Sequence, residues 1–191
     1  MKLGKLIIFV SMFFSASWTY AKGGGGMGIN VGLGAPFLSQ AGFNIGFSDK
    51  LGLDVDYGLL DLSVGLAKVK LAMPSLLLRW HPFSGAFFIG AGVGQESFTA
   101  TATDALTGQT AEIKVTAMTT VGKLGWMWGA GDGGLWFGID ASFISPSSPT
   151  TEITSALPST DQAYIDAQEQ ADKFGSTAYN NITFARIGYL F

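Results

Sequence analysis

Few residues of this 191-residue chain are of the types that carry catalysis or bind metal ions. There is one histidine and no cysteine, so no spacing of metal ligands and no cysteine nucleophile can be recognised. The histidine, His81, precedes Pro82 in "RWHPF", and no motif places a serine beside it. The glycines of "KGGGGMGINVGLG" (22–34) precede a predicted strand and fit no phosphate-binding loop. We therefore expect no catalytic residue, no cofactor and no metal, and we interpret His81 as a turn residue.

A second set of chemically capable residues is ionic. Seven charged side chains fall on the polar positions of alternating segments, so they would share the inner face of a closed sheet: Asp54, Asp56, Arg79, Glu96, Lys123, Asp140 and Arg186. A buried charge without a partner costs several kcal/mol. Because acids and bases are comparable in number, we predict a cross-strand ionic network that plugs the interior. The alternative is a polar path for small solutes.

The elements that would position these residues are β-strands. Apolar residues alternate with Gly, Asn, Asp and Ser at period two, which is typical of strands with one apolar face. Eight strands are predicted, near residues 27–34, 41–48, 51–58, 68–80, 86–99, 111–128, 134–144 and 180–191. Between Val115 and Trp128 the alternation does not show clearly which residues would point inward (their parity), and we expect a bulge near Val121–Lys123.

Composition decides between a soluble sandwich and a membrane barrel. Only 13% of the residues are charged, against roughly 25% in soluble domains. The second face is mostly small and polar, which fits the interior of a narrow barrel better than a wet sandwich surface. No uninterrupted apolar run after residue 21 is long enough for a spanning helix. We expect an all-β fold, an eight-stranded antiparallel up-and-down transmembrane β-barrel.

The N-terminus predicts export. Lys2 and Lys5 precede an apolar run over 6–14, and Thr19-x-Ala21 fits signal-peptidase cleavage. The run is too short for a membrane anchor. We therefore expect a cleaved signal peptide over 1–21 and a barrel domain over 22–191, located in the bacterial outer membrane. The net charge of −3 becomes more negative without the two lysines, which argues against nucleic acid as a partner.

The connections alternate in length as in such barrels. Short turns lie at 48–50, 81–85 and 129–134, and longer segments near 59–67, 100–110 and 145–179. Four tryptophans flank the short turns and predict a membrane-interface belt: Trp80, Trp126, Trp128 and Trp136. The alternation along its strand would, however, point Trp136 inward. In the last long segment, a Ser159–Gln162 capping box and Gly175 predict a short helix over roughly 160–174.

The chain ends in "NITFARIGYLF", in which one face of a last strand would carry Thr183, Ala185, Ile187, Tyr189 and Phe191. This ending resembles the C-terminal signature of Gram-negative outer-membrane barrels, and the chain as a whole resembles the small eight-stranded barrels of the OmpA/OmpX/OmpW type. The resemblance implies that these five residues form the signal for the barrel-assembly machinery. It also implies that the last strand pairs with the first.

Some barrels of that kind modify lipids, with a serine or histidine near the outer leaflet. His81 would lie at the opposite end, so a lipid-modifying enzyme is the least favoured interpretation. We expect a non-enzymatic structural or surface-interaction protein, and a narrow channel for small or apolar solutes is the alternative. The expected partners are outer-membrane lipid and lipopolysaccharide, with the assembly machinery during biogenesis. The apolar outer face also permits a homo-oligomer.

Overall fold

The computed structural model describes residues 26–83, 85–103, 110–129, 133–155 and 162–191, so the predicted signal peptide lies outside the described residues. Eight antiparallel strands form a closed barrel in sequence order, and the first strand pairs with the last. The strands are β1 (Met27–Ala35), β2 (Ser39–Gly46), β3 (Leu51–Val64), β4 (Ala67–Trp80), β5 (Phe87–Thr103), β6 (Thr110–Trp128), β7 (Gly134–Thr154) and β8 (Tyr179–Leu190). The predicted eight-stranded barrel is confirmed.

One helix, α1 (Gln162–Phe174), lies between β7 and β8, as predicted, although Ser159 of the expected capping box is outside the described residues. Within the described ranges no helix has the length and apolar character needed to cross a bilayer. We call the end of the barrel with the 46–51, 80–87 and 128–134 connections the turn end, and the opposite end the loop end.

The strands extend further towards the loop end than we predicted from the alternation of short and long connections. Residues 59–67 are not a long loop, because β3 continues to Val64 and β4 begins at Ala67, joined by a tight turn with Gly65 at a φ of 61°. Only glycine adopts such a φ without strain. Likewise β7 does not end near 144 but continues to Thr154, paired with β6 up to the Glu112–Thr154 partners. Strands β3 to β7 therefore project beyond β1, β2 and β8, and we call the part formed by β5, β6 and β7 the projecting sheet.

Two bulges adjust the register. The bulge expected near Val121–Lys123 is wrong: β6 pairs with β7 without a break from Met118 to Trp128, and the register shifts between Thr116 and Met118 instead. A second irregularity lies in β8, where the pairing with both neighbours shifts between Thr183 and Ala185 or Arg186. Phe184 and Ala185, consecutive in sequence, are therefore both exposed on the outer face.

The interior is layered, as the inward positions of β6 illustrate. From the turn end, Met127 belongs to an apolar cluster with Phe88 and Trp136, Lys123 is in an ionic layer, and Val121 belongs to a second apolar cluster. The second cluster also contains Phe37, Leu71, Met73, Leu77 and Ile144. The outer face carries exposed apolar side chains all round, among them Leu78, Val93, Leu124, Phe137 and Ile187. This arrangement places charges inside and hydrocarbon outside, the reverse of a soluble domain.

Helix α1 covers the inner face of the projecting sheet. The rings of Phe98 and Phe174 lie 4.5 Å apart, and Thr151 donates a hydrogen bond to Asp172. Ala171 is buried, and Gly175 lies so close to Val115 that an added Cβ would come within 2.6 Å of it. The helix therefore packs against the inner face of this sheet at the loop end.

Candidate functional site in the barrel interior

Three cations and three carboxylates form the ionic layer. Arg186 binds two acids, with 3.0 Å from Nη1 to Asp56 Oδ1 and 3.1 Å from Nε to Asp140 Oδ2. Lys123 donates a hydrogen bond to Asp56 and lies 4.0 Å from Asp140. All of these side chains are buried. Equal numbers of opposite charges at these distances leave no net charge within the layer.

The third pair joins this group through side-chain amides. Arg79 Nη1 lies 3.0 Å from Asp54 Oδ1, and Asp54 accepts a hydrogen bond of 2.7 Å from Asn44. Asn44 in turn accepts one of 2.8 Å from Asn30, whose oxygen accepts one of 3.2 Å from Arg186. The six charges therefore belong to one continuous network that crosses the interior.

Sequence reasoning did not place the amides in the site. Asn30 and Asn44 occupy inward positions of β1 and β2, and Gln40 accepts a hydrogen bond of 3.0 Å from Arg186. The signal was available, because Asn30, Gln40 and Asn44 lie on the inward positions of their strands, as the charges do. Their importance comes from accepting and donating at once, which lets an amide bridge two ionic pairs.

Glu96 was predicted to join the network, and the structure places it elsewhere. Gly90, not Glu96, is the β5 residue opposite Lys123, and Glu96 is six residues further along the strand, or about 20 Å at the rise of a strand. Its carboxylate accepts a hydrogen bond of 2.7 Å from the Tyr179 hydroxyl. Among the described residues no lysine or arginine forms an ion pair with it. The hydrogen bond between Glu96 and Tyr179 therefore joins β5 to β8 beside the second apolar cluster, against which Tyr179 packs.

Inward glycines make room for the long side chains. A Cβ at Gly42 would collide with Asp56, and one at Gly52 would lie 2.8 Å from Arg79 Nη2. A cavity in this layer, bounded by Arg79, Lys123 and Trp136 among others, has a volume of about 10 Å³. That is roughly the space of a single water molecule. At Gly42 and Gly52, side chains of the network occupy the space that a larger residue would need.

The four predicted belt tryptophans separate into two groups. Trp80, Trp126 and Trp128 are exposed on the outer face at the turn end. Trp136 is 2% exposed and lies inside, packed with Phe88 and Met127. A belt position for Trp136 is wrong, because its strand parity turns it inward and Gly188 and Gly138 leave space for the indole.

His81 lies in the connection between β4 and β5. Its backbone N–H donates to the Lys50 carbonyl at 2.8 Å, and its ring lies 5.8 Å from that of Phe88. Burial, followed by the nearby Arg79 guanidinium, lowers the pKa of His81 below its ordinary value. Across the described part of the chain no group of three His, Asp or Glu side chains is arranged to hold a metal ion. This geometry fits a packed turn residue.

The predicted C-terminal face needs one correction. Ala185, Ile187 and Tyr189 are exposed on the outer wall, but Thr183 is completely buried and donates a 2.9 Å hydrogen bond to Asp140. The bulge at Phe184–Ala185 reverses the parity between Thr183 and the residues that follow it. At the end of the chain, Phe191 N–H donates to the Met27 carbonyl at 2.7 Å, and its ring lies 5.3 Å from that of Tyr189.

Deleting Phe191 tests the assembly role of this strand. The deletion removes one backbone hydrogen bond at the seam between β1 and β8, which contributes about 1 kcal/mol. We expect refolding in detergent to be nearly unchanged, whereas the amount inserted in the outer membrane of cells falls strongly. Heat-modifiable migration of the refolded chain and immunoblots of membrane fractions measure the two effects. Unchanged insertion would contradict an assembly role for the last residue.

The chain was compared with known proteins. No protein-family model matches it, and no curated protein matches it in sequence. A major outer membrane protein from Thermus thermophilus matches in structure with a TM-score of 0.57 and 13% identity, covering 90% of this chain and 100% of that one. CarO2 of Acinetobacter baumannii matches with a TM-score of 0.48 and 13% identity, over 88% of this chain and 99% of that one. CarO from Acinetobacter baumannii gives 0.45 and 12%, over 90% and 97%. The match to the Thermus structure supports the barrel described above, and the chain has an outer-membrane β-barrel fold.

Proposed function

We propose that this chain is a non-enzymatic protein of the bacterial outer membrane, with a closed interior and a structural or surface-interaction role. The exposed apolar band, with Trp80, Trp126 and Trp128 at one end, supports insertion in a bilayer. Export by a cleaved signal peptide and membership in the small OmpA/OmpX/OmpW-like barrels belong to the same proposal. The strand count and the C-terminal pattern support that membership.

The observation that carries the closed interior is the ionic network between two apolar layers. Arg186, Lys123 and Arg79 each lie within 3.1 Å of a carboxylate oxygen, so little charge is left to attract a passing ion. The Trp136 and Phe88 cluster covers one side of the network, and the cluster around Phe37 and Leu77 covers the other. Eight strands enclose a space that side chains can just fill, and here they fill it.

The loop end is the surface on which specific interactions would take place. The projecting β5–β7 sheet holds helix α1, whose exposed residues include Glu169 and Lys173. Loops vary at little cost to the strands beneath them, whereas every inward position of the ionic layer has a packing or pairing role. Any partner outside the cell would meet α1 and the projecting sheet first.

Electrical recording tests the closed interior. Purified full-length protein in a planar lipid bilayer should show little or no steady conductance, because the network and both apolar layers block the axis. A second chain has a Gly/Ser linker of about 14 residues in place of 156–177. The linker is needed because Tyr179 pairs with Ile144 while β7 continues to Thr154, so the connection must span about 34 Å. This chain should also be silent. That result would place the block in the barrel and not in the helix.

The opposite results are equally informative. Large, long-lived channels from the full-length protein would favour the narrow-channel alternative over the structural role. Conductance that appears only in the shortened chain would show that α1 is the gate of an otherwise open barrel. A known porin recorded in the same lipid is the positive control for insertion.

A further inference from the structure

A groove on the outer wall of the barrel has a composition unlike that of the lipid-facing surface around it. It has a volume of about 520 Å³ and runs across the outward faces of β3 to β6. Its polar lining residues include Lys70, Gln95, Ser97, Thr99, Lys114 and Thr116. No carboxylate is among the described residues that line it. Two lysines and several hydroxyls form a surface suited to an anion.

The strand register places these side chains together. Lys70 on β4 is opposite Thr99 on β5, and Thr99 is opposite Lys114 on β6, so the three form one cross-strand row. The adjacent row towards the turn end contains Ser97 and Thr116 as partners. Two strand spacings separate the backbones of Lys70 and Lys114 by about 10 Å. Their flexible side chains can therefore both reach one phosphate, or each bind one of a pair.

The height of the groove matches the edge of a membrane. On β4, the outward residues between Trp80 and the groove are Leu78 and Leu76, and Lys70 lies ten residues from Trp80. At a rise of about 3.4 Å per residue and a tilt of about 40°, this separation is about 26 Å along the barrel axis. The apolar band of such barrels is about 25 Å tall. The short turns of such barrels face the periplasm, so with the turn end there the lysines lie where the headgroups of the outer leaflet begin.

The neighbouring charges leave the two lysines available. The cross-strand row continues to Asp61 on β3 and to Glu152 on β7, outside the groove. Lys114 and Glu152 approach to 3.6 Å, but their side chains are 46% and 69% exposed. An ion pair that exposed contributes little and exchanges readily for another anion.

We propose that this groove binds the phosphate-bearing headgroup of a lipid in the outer leaflet. Lys70 and Lys114 contact the phosphates, the hydroxyls of Ser97 and Thr99 add hydrogen bonds, and the acyl chains lie along the apolar wall formed by Leu76 and Val93. The inference rests on the proposed outer-membrane location, and it names a lipid class and a site that the barrel fold alone does not imply.

Native mass spectrometry of the full-length protein, released from detergent with defined lipids, tests this site. The probe is bisphosphorylated lipid A, compared with the same lipid without phosphates. The unmodified protein should retain the phosphorylated lipid preferentially. The K70Q/K114Q double variant should retain it about tenfold less, since it loses two charge-assisted contacts. The control is K50Q/K173Q, which removes the same charge at the short turn 48–50 and on helix α1, away from the residues that line the groove.

Several results would overturn the proposal. Equal loss in both double variants would indicate overall charge, and equal retention of the phosphate-free lipid would indicate unspecific packing of acyl chains. Displacement of the lipid by an equal concentration of inorganic phosphate would indicate a free-anion site. A dimer lost in K70Q/K114Q instead of a lipid would indicate a contact between copies.

The same proteins are fractionated from cells on a density gradient. If the unmodified chain does not sediment with the outer membrane, the proposed location is wrong. If it does and the lipid results are negative, only the groove is wrong.

Discussion

Replacing Arg186 with leucine should lower the free energy of unfolding of the barrel by about 3–5 kcal/mol. Arg186 binds both Asp56 and Asp140. After its removal, Lys123, 4.0 Å away, is the one cation among the described residues that still pairs with Asp140. The hydrogen bonds to Asn30 and Gln40 are lost as well. Urea titration of the protein refolded in lipid vesicles, followed by heat-modifiable migration, measures the change.

Two controls separate pairing from packing. Arg186→Leu combined with Asp140→Leu should be more stable than Arg186→Leu alone, because the unpaired buried acid is gone. Lys114→Leu breaks the exposed pair with Glu152 and should cost less than about 1 kcal/mol. If the double variant were no better than Arg186→Leu, the loss would come from cavity formation and not from an uncompensated charge.

Replacing Trp136 with alanine should also destabilise the barrel by about 3–5 kcal/mol, because it leaves a cavity in the layer at the turn end. The indole packs against Phe88 and Met127 and lies over Gly188. Trp128→Ala is the matched control at the same end: its side chain is 48% exposed on the outer face, so its removal leaves no internal void. The same urea titration compares the two variants.

A third variant tests the contact with glycine directly. A Cβ at Gly188 would collide with the indole of Trp136, so Gly188→Ala should cost about 1–3 kcal/mol in the unmodified protein. In the Trp136→Ala background the same change should cost much less, because the space is empty. Additive costs in the double variant would show that the two positions do not share this space.

The strand architecture was readable from the sequence because a membrane barrel has an apolar outer face, and here the inner face carries mostly small and polar residues in the early strands. That requirement forces strict alternation, and the alternation in segments such as 27–34 and 51–58 predicted both strands and inward residues. It also predicted the six charges that the structure brings together. Parity alone tells which residues point inward, and where the strand register is close to regular it also tells which of them can meet.

The departures occur where something other than parity decides. One extra residue at Phe184–Ala185 turned Thr183 inward, and a bulge of this kind has no signal in alternation. Glu96 points inward, as its parity predicted, but it lies at a different level along the barrel axis from the ionic layer. That level depends on how the strands are staggered around the ring. The Ser/Pro/Thr-rich end of β7 was interpreted as a loop, because proline and serine are poor strand formers, yet its pairing with β6 continues. Long-range register decides these three cases.

The unequal strand lengths have a consequence for solubility outside the membrane. Pairing of β7 with β8 stops at Ile144, while β7 continues to Thr154, so one side of the projecting sheet is an edge strand. Free edges invite another chain to add by backbone hydrogen bonds. This edge contains Pro146 and Pro149, which have no N–H to offer, and Ser148 between them has a φ of 51° at the bulge. The projecting sheet thus carries its own protection against strand addition and fibre formation between neighbouring copies.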